Sequence, residues 1–316
     1  MSHGPKLTRR TALQTLGAGL AAAGVSAGTA LADDGWTVAE TPTSNTLHDV
    51  EYTAAGAYAV GGDGVVIERT ADGWRKVLDG GPTGNGSNLY DADVTEDGER
   101  LWFVGASGAV GEYDVTTGSL MTYTELLDST NNYNDVAVTG SAGEANVYVA
   151  GDSGTIYYSF ENGRAGTWER ATPGSGSNIN AIDFRDDRAG HAVDGNRTVF
   201  ETDDGVTWNR IGVPDANHDF YAVDSSDDDV RVAGDGGTIF YWNGVRWTPI
   251  DTGDARLNDI EVDDDAGLVV GSGATVFDLA DGRWLRAATP TGQNLKSVVR
   301  GDPDITVGAG GTVIER

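Results

Sequence analysis

The chain has 316 residues, no cysteine, and 49 acidic against 21 basic residues, which gives a net charge of −28. The lack of cysteine excludes disulfides, thiolate metal sites and a cysteine nucleophile, and the charge argues against a nucleic-acid partner because the phosphates would be repelled. The acids recur along the whole chain, so we interpret most of them as solvated surface groups rather than site residues.

Residues 1–32 have the pattern of an export signal. They begin with basic residues, continue with an apolar run rich in Ala, Gly and Leu, and contain no acid. Ala30-Leu31-Ala32 fits the A-x-A cleavage pattern, and the apolar run is too short for a permanent membrane span. Thr8-Arg9-Arg10 is similar to a twin-arginine signal, although Ala12 stands where phenylalanine is usual, and an ordinary secretory signal is the alternative. We expect an exported protein, extracellular or on the envelope side of the cytoplasmic membrane, with cleavage or retention of the signal left open.

After residue 32 the chain repeats one unit seven times. Each unit opens with a short alternating segment, such as "LYDADV" or "LNDIEV", whose period of two predicts a β-strand. The central apolar positions of these segments lie 37 to 46 residues apart. They are Val50, Ala92, Val136, Ile182, Val223, Ile260 and Val298.

Two further features place the remaining strands of each unit. A second strand runs through Gly-x-x-Gly into a third, as in "VAGDSGTIYY", and we expect these glycines to supply the positive φ of a tight hairpin. A tryptophan marks the fourth strand, where we expect packing between neighbouring sheets. Four strands per unit of about forty residues predict an all-β, seven-bladed β-propeller that occupies residues 33–316 as one domain. The marking tryptophans are Trp74, Trp168, Trp208, Trp247 and Trp284.

The two ends of this repeat predict how the ring closes. The last unit stops at "TVIER", whereas the first continues from "VIERTADG" to its tryptophan. Asp34-Gly35-Trp36 aligns with Asp72-Gly73-Trp74 and supplies the missing step. We therefore expect "GWTVAETP" to form the outer strand of the last blade, so that the edge of the final strand is paired.

Two motifs resemble known families. The segment "TVFETDDGVTW" (198–208) resembles an Asp-box, or BNR repeat, with Glu201 where serine or threonine is usual. The wider unit, "L-x-D-V" then "A-V-G-x-x-G-x-I" then "T-x-D-G-x-W", resembles propellers of the photosystem II assembly and stability factor family over residues 33–316. That resemblance implies a non-catalytic factor that binds another protein and helps to assemble or stabilise it. The acidic, lysine-poor composition is similar to that of secreted proteins of salt-loving archaea, and departs from the positively charged patch expected in photosynthetic members.

A BNR-type glycoside hydrolase or a glycan-binding propeller is the alternative, because Asp-boxes also occur in sialidases. A sialidase-type site needs three converging arginines, and only Arg185 and Arg300 lie near opening strands. The histidines have no zinc-site spacing. In four units an aspartate precedes the central apolar position, and we interpret it as an acceptor of backbone hydrogen bonds, with calcium binding as the alternative. These residues are Asp49, Asp91, Asp135 and Asp259. We therefore predict no cofactor and no catalytic residue.

The face that carries the links between blades is the candidate binding surface. Small hydrogen-bonding loops recur there, at 41–45, 81–88, 172–178 and 289–294, although plain turns have the same composition. Just beyond the links each unit contributes one residue that we assign to partner binding. These residues are His48, Tyr90, Asn134, Asn180, Tyr221, Asn258 and Lys296. We expect a monomeric propeller that binds a protein partner, such as a membrane or envelope complex.

Overall fold

The computed structural model describes residues 35–124, 130–174, 176–214, 216–227, 229–263 and 265–316. Within these residues the strands form seven four-stranded antiparallel sheets, and the predicted seven-bladed β-propeller is confirmed. The predicted export signal at 1–32 lies outside the described residues.

Each blade contains four hydrogen-bonded strands, the first of them at the channel and the last at the rim. Blade 1 has β2 (Leu47–Thr53), β3 (Gly56–Gly61), β4 (Val66–Thr70) and β5 (Gly73–Leu78). Blade 2 has β6 (Leu89–Val94), β7 (Arg100–Gly105), β8 (Val110–Asp114) and β9 (Ser119–Thr122). Blade 3 has β10 (Tyr133–Thr139), β11 (Asn146–Gly151), β12 (Thr155–Ser159) and β13 (Glu169–Ala171). Blade 4 has β14 (Ile179–Phe184), β15 (Gly190–Asp194), β16 (Val199–Thr202) and β17 (Asn209–Ile211).

The remaining blades follow the same plan. Blade 5 has β18 (Phe220–Ser225), β19 (Val230–Gly234), β20 (Thr238–Trp242) and β21 (Trp247–Asp251). Blade 6 has β22 (Leu257–Asp263), β23 (Ala266–Gly271), β24 (Thr275–Ala280) and β25 (Arg283–Arg286). Blade 7 has β26 (Leu295–Val299), β27 (Ile305–Gly308), β28 (Val313–Glu315) and β1 (Thr37–Ala39). Short 3₁₀ turns join the second and third strands of five blades: η1 (Gly62–Gly64), η2 (Ala106–Gly108), η3 (Asp152–Gly154), η4 (Asp235–Gly237) and η5 (Ala309–Gly311).

Blade 7 combines strands from opposite ends of the described chain. The strand β1 pairs antiparallel with β28, with Thr37 opposite Glu315 and Ala39 opposite Val313. Glu315 also reaches across to blade 1, where its carboxylate accepts two hydrogen bonds from Arg69 (3.1 and 2.9 Å) and one from the indole N–H of Trp74 (2.8 Å). The seam between the last and the first blade is therefore held by side chains as well as by packing.

The hydrophobic core is divided among the interfaces between adjacent blades. The described residues form seven buried clusters, one at each interface. A tryptophan of the outermost strand or of the turn before it joins six of them, so the predicted packing role is confirmed. At the interface of blades 1 and 2, Leu120 packs in its place. The six residues are Trp36, Trp74, Trp168, Trp208, Trp247 and Trp284.

The two glycines of the Gly-x-x-Gly motif have different roles, which corrects the prediction that they supply positive φ. In blade 1 the second, Gly64, has φ +69°, as predicted. The first, Gly61, is extended (φ −173°), and its constraint is steric, because a Cβ there would overlap the carbonyl oxygen of Thr46. That oxygen lies close because it accepts a hydrogen bond from the N–H of Gly62 (2.8 Å). The first glycine thus permits the second strand to end tightly against the start of the innermost strand.

The segment that resembles an Asp-box forms the turn between β16 and β17. Asp204 Oδ1 accepts hydrogen bonds from the backbone N–H groups of Thr207 (2.6 Å) and Val206 (2.8 Å). These bonds lower the pKa of Asp204 to about 2. The adjacent Trp208 packs edge-on against Phe184 at 6.0 Å between ring centroids. In this chain the segment therefore serves as a turn that anchors an interface tryptophan.

Substitution of the first glycine should destabilise the fold through overlap rather than through φ. We expect Gly61→Ala to lower the free energy of unfolding by about 1–3 kcal/mol, the usual cost of overpacking. Gly212→Ala is the matched control, because a Cβ at that position meets no atom within 4 Å and the residue has no positive φ. Chemical denaturation at constant salt measures both. Equal effects of the two substitutions would contradict the steric explanation.

Removal of the negative charge of Glu315 should weaken the seam between blades 7 and 1. We expect Glu315→Gln to lower the free energy of unfolding by about 1–2 kcal/mol, because charge-assisted bonds from Arg69 and Trp74 are lost. Hydrogen exchange in β1 should accelerate as well. Glu40→Gln is an exposed control one residue beyond β1. The assignment is wrong if the two variants unfold alike and exchange alike.

Candidate functional site

A channel runs through the middle of the ring and is the candidate site. The innermost strands β2, β6, β10, β14, β18, β22 and β26 line it, and successive strands contact each other all the way around. The channel has a volume of about 1010 Å³. Its wall is predominantly polar, since carboxylates, amides and hydroxyls from every blade face it.

All seven residues predicted to bind a partner line one end of this channel. Each is the second residue of its innermost strand, and at each the pairing with the next strand slips by one residue. Such a bulge leaves its extra residue outside the regular ladder and redirects its side chain. We call the set the mouth ring: His48, Tyr90, Asn134, Asn180, Tyr221, Asn258 and Lys296.

The three asparagines of the mouth ring link neighbouring blades. The side-chain amide of Asn134 donates to the carbonyl oxygen of Ile179 (2.9 Å). In the same way Asn180 donates to Phe220 (2.7 Å) and Asn258 to Leu295 (2.6 Å). Each acceptor is the first residue of the next innermost strand. The structure thus assigns a structural role to these three residues, which the sequence analysis grouped with the others.

The other four residues of the mouth ring make aromatic and cationic contacts. His48 and Tyr90 lie edge-to-face at 5.5 Å between ring centroids. The guanidinium carbon of Arg256 lies 3.4 Å from the ring centroid of Tyr221. Burial, with the nearby charge of Lys296, lowers the pKa of His48 to about 4, so His48 is neutral at physiological pH. Burial and the charge of Arg256 also lower the pKa of Lys296.

Arg256 is a mouth residue that the sequence analysis missed. It occupies the position just before the innermost strand of blade 6, where the repeats of four other blades have asparagine: Asn88, Asn132, Asn178 and Asn294. The side-chain oxygen of each of these asparagines accepts a hydrogen bond from the hairpin turn of the preceding blade. Alignment of the repeats one position further upstream would have marked Arg256 as the one cation at this position, where the remaining two blades have Thr46 and Asp219.

One residue further along three of the innermost strands, an aspartate bridges adjacent blades. Asp49 accepts from the N–H of Ala92 (3.1 Å), Asp91 from Val136 (2.9 Å) and Asp259 from Val298 (2.9 Å). Three of the four predicted aspartates therefore accept backbone hydrogen bonds, and the donors belong to the following blade. Acids deeper in the channel repeat the pattern, which the sequence analysis did not foresee: Asp93, Asp183, Asp224 and Glu261.

Three aspartates of the channel have raised pKa values. Burial raises the pKa of Asp49 to about 7 although Ser297 and backbone N–H groups hydrogen-bond to it, and the carboxylate of Asp259 adds to the increase. Burial and neighbouring carboxylates also raise the pKa of Asp91 and of Asp135 well above the ordinary value. The centre of the channel is therefore less negative near neutral pH than its composition indicates.

The opposite end of the channel is acidic, and its arginines are paired. Acids gather beyond the ends of the innermost strands, among them Glu96, Asp186, Asp227 and Asp265. We call this end the acidic mouth. The two arginines considered for a sialidase-type site lie here, and both are in ion pairs, Arg185 with Asp203 (3.2 Å) and Arg300 with Asp263 (2.9 Å). Arg231 pairs with Asp229 (2.6 Å) in the same region.

The described residues contain neither a metal-binding cluster nor a membrane-spanning helix. In the part of the chain that the structure describes, no group of three or more histidines and acids has the geometry to hold a metal ion. No helix among the described residues is long and apolar enough to cross a membrane. Calcium binding at the aspartates stays an untested alternative.

Comparison with known proteins places the fold. No protein-family profile matches the chain, and no curated protein sequence matches it. Solved propeller structures are, however, similar to the chain. YCF48 from Cyanidioschyzon merolae is 16% identical, with a TM-score of 0.69 over 89% of this chain and 98% of that protein.

Two further structures are similar. YCF48 bound to D1 peptide is 14% identical, with a TM-score of 0.70 over 90% of this chain and 98% of that one. A catalytically inactive virginiamycin B lyase from Staphylococcus aureus, solved with quinupristin, is 13% identical, with a TM-score of 0.76 over 89% and 98%. At such identities the similarity establishes the propeller fold, which supports both binding proteins and enzymes.

The raised pKa of Asp49 predicts the pH dependence of stability. Between about pH 4 and pH 7 the folded protein retains a proton that the unfolded chain has released, so this group's contribution to stability is lost as pH rises through that range. Asp49→Asn removes the titration. From pH 5 to pH 8 we expect the variant to gain roughly 1–3 kcal/mol of unfolding free energy relative to the wild type.

Denaturant unfolding at several pH values and constant salt measures this difference. The control is Asp265→Asn, which removes a carboxylate from an exposed position of the acidic mouth. A flat difference between Asp49→Asn and the wild type over this pH range would contradict the raised pKa of Asp49.

Proposed function

We propose that this protein is a non-catalytic binding scaffold that holds a segment of a protein partner against the mouth ring. The observation that carries the proposal is the repeated bulge, which directs one side chain from each of seven blades to a single opening. A rigid ring that presents fixed side chains loses little conformational entropy when a partner binds. Propellers of the same fold bind peptides, as the complex of YCF48 with D1 peptide illustrates.

The chemistry of the channel favours binding over hydrolysis. Arg185 and Arg300 are neutralised by aspartates at the acidic mouth. The aspartates near the mouth ring are used as acceptors between blades. A glycoside hydrolase needs a carboxylate pair at a defined separation across the substrate. The bridging aspartates are instead held in place by their hydrogen bonds to the next blade.

Export and a high-salt habitat complete the proposal. Residues 1–32 have the pattern of a twin-arginine-like signal. Concentrated salt would screen the self-repulsion of a chain with a net charge of −28. We infer that the protein acts as a monomer outside the cytoplasmic membrane, where it assembles or stabilises a membrane or envelope complex.

Tyr90 and Tyr221 are the two tyrosines of the mouth ring, and the test removes both. Aromatic residues in binding surfaces contribute a large share of affinity, so we expect the double variant Tyr90→Ala/Tyr221→Ala to recover a partner at least about tenfold less well. The measurement is affinity capture from native envelopes kept in high salt, followed by binding of the purified partner.

The control is the double variant Val245→Ala/Leu285→Ala, which truncates two apolar side chains exposed at the rim. It should bind like the wild type. Equal binding by both double variants would reject the mouth ring as the binding surface. Release of sugar from an envelope polysaccharide by the purified protein would reject the scaffold in favour of the hydrolase.

A further inference from the structure

Two cations lie at the mouth-ring end of the channel. Lys296 belongs to the mouth ring, and Arg256 contacts Tyr221, another member of the ring. Burial and the charge of Arg256 lower the pKa of Lys296. The guanidinium of Arg256 is stacked on Tyr221, an arrangement that fixes its plane and leaves its N–H edges available. Its side chain is 42% exposed and makes one long ion pair, at 3.6 Å from Nε to Asp235.

Lys296 differs from the other cations of the channel in its surroundings. Among the described residues no carboxylate lies within 4.0 Å of its ammonium group, in a chain with 49 acids. The arginines at the acidic mouth are all close to aspartates, and the exposed Lys76 pairs with Asp79 at 3.3 Å. A half-buried cation that no described carboxylate pairs with is unfavourable for folding, which is a mark of a binding site.

The repeat shows what the two positions hold in the other blades. The mouth-ring position holds a blade-linking asparagine in blades 3, 4 and 6, a histidine or tyrosine in blades 1, 2 and 5, and a lysine in blade 7 alone. The position before the strand holds an asparagine acceptor in four blades, Thr46 and Asp219 in two others, and an arginine in blade 6 alone. An arginine cannot accept the hydrogen bond that those asparagines accept. Each position thus carries a positive charge in one blade.

We propose that Lys296 and Arg256 form a carboxylate-binding site that takes acidic side chains of the partner segment. This inference rests on the proposed function and specifies the chemistry of its partner. Arg256 offers a planar, bidentate donor set that matches a carboxylate, and Lys296 supplies a second positive charge at the same mouth. Tyr90 and His48, packed edge-to-face, provide an aromatic wall across the same ring for the apolar part of the segment.

Charge complementarity favours an acidic segment at this place. The rest of the surface repels acidic chains, because the net charge is −28 and the opposite mouth is rich in acids. The two cations form a local exception where an acidic segment gains both attraction and orientation. Such binding weakens as the salt concentration rises. It also favours the mouth ring over the acidic mouth, which repels an acidic segment.

The chain offers a direct probe, because it contains three lysines, Lys6, Lys76 and Lys296. Reductive ¹³C-methylation gives each lysine its own NMR signal, and Lys296→Arg assigns the signal of interest. We titrate the full chain with acetylated, amidated hexaglutamate at the lowest salt at which the protein stays folded. A saturable shift of the Lys296 signal, with the Lys76 signal unmoved, is the expected result. Equal shifts of both signals, or no saturable shift, would overturn the proposal.

Two comparison peptides separate the sources of the carboxylate. Acetylated, amidated hexaglutamine has no carboxylate and should not bind. Acetylated hexaglutamine with a free carboxyl terminus carries only the terminal carboxylate. Binding of this last peptide in preference to hexaglutamate would overturn the assignment to acidic side chains.

Variants test the two residues. Lys296→Gln and Arg256→Gln should each weaken hexaglutamate binding about tenfold or more, whereas Lys296→Arg should retain it. Lys76→Gln changes the net charge by the same amount as Lys296→Gln and should leave the affinity unchanged. Equal losses from these two variants would show general electrostatics rather than a site, and would overturn the proposal.

The outcome is distinguishable from a failure of the scaffold function. If the tyrosine double variant loses its partner but hexaglutamate does not bind, the carboxylate site is wrong and the scaffold stands. If hexaglutamate binds at Lys296 but the tyrosine double variant captures the partner as well as the wild type does, the carboxylate site stands. The placement of the partner on the tyrosines is then wrong.

Discussion

The backbone N–H groups at the inner edge of each blade need hydrogen-bond acceptors, and the centre of the protein is organised around this requirement. The innermost strand pairs with a neighbour on one side only, so its other edge would leave buried polar groups without partners. Carboxylates of the preceding blade accept from that edge, as Asp49 does from Ala92 and Asp183 does from Ser225. These carboxylates therefore hold the ring together. A carboxylate that accepts such a hydrogen bond is not free to act on a substrate.

The bulge at the start of each innermost strand allows one residue per blade to vary without a change in the strand pairing beneath it. It places the residue before the bridging carboxylate outside the ladder, where the chain is less constrained. In three blades that residue is an asparagine that bonds to the next blade. In the others it is an aromatic residue, a histidine or Lys296. The mouth of the channel can thus vary from blade to blade while the layer beneath it stays regular.

Much of the fold could be predicted from the sequence because each blade repeats the same pattern of strand segments, turns and packing residues. The period-two segments predicted the innermost strands, and the tryptophans predicted the interfaces. The steric role of Gly61 could not be predicted, since it depends on a carbonyl oxygen fifteen residues earlier that only the folded blade brings near. The mouth ring was identified from its repeat position, but its division into blade-linking asparagines and the other four residues depends on distances between blades. Arg256 was missed because it lies one position before the pattern that was aligned.

The raised pKa values of the channel aspartates affect the net charge of the folded protein. The figure of −28 treats every acid as ionised, yet burial raises the pKa of Asp49 to about 7 and raises the pKa of Asp91 and of Asp135 well above the ordinary value. Folding in a neutral solution then takes up protons from the medium. The calorimetric enthalpy of unfolding will consequently vary with the ionisation enthalpy of the buffer, and the electrophoretic mobility of the native protein will be smaller than its composition indicates.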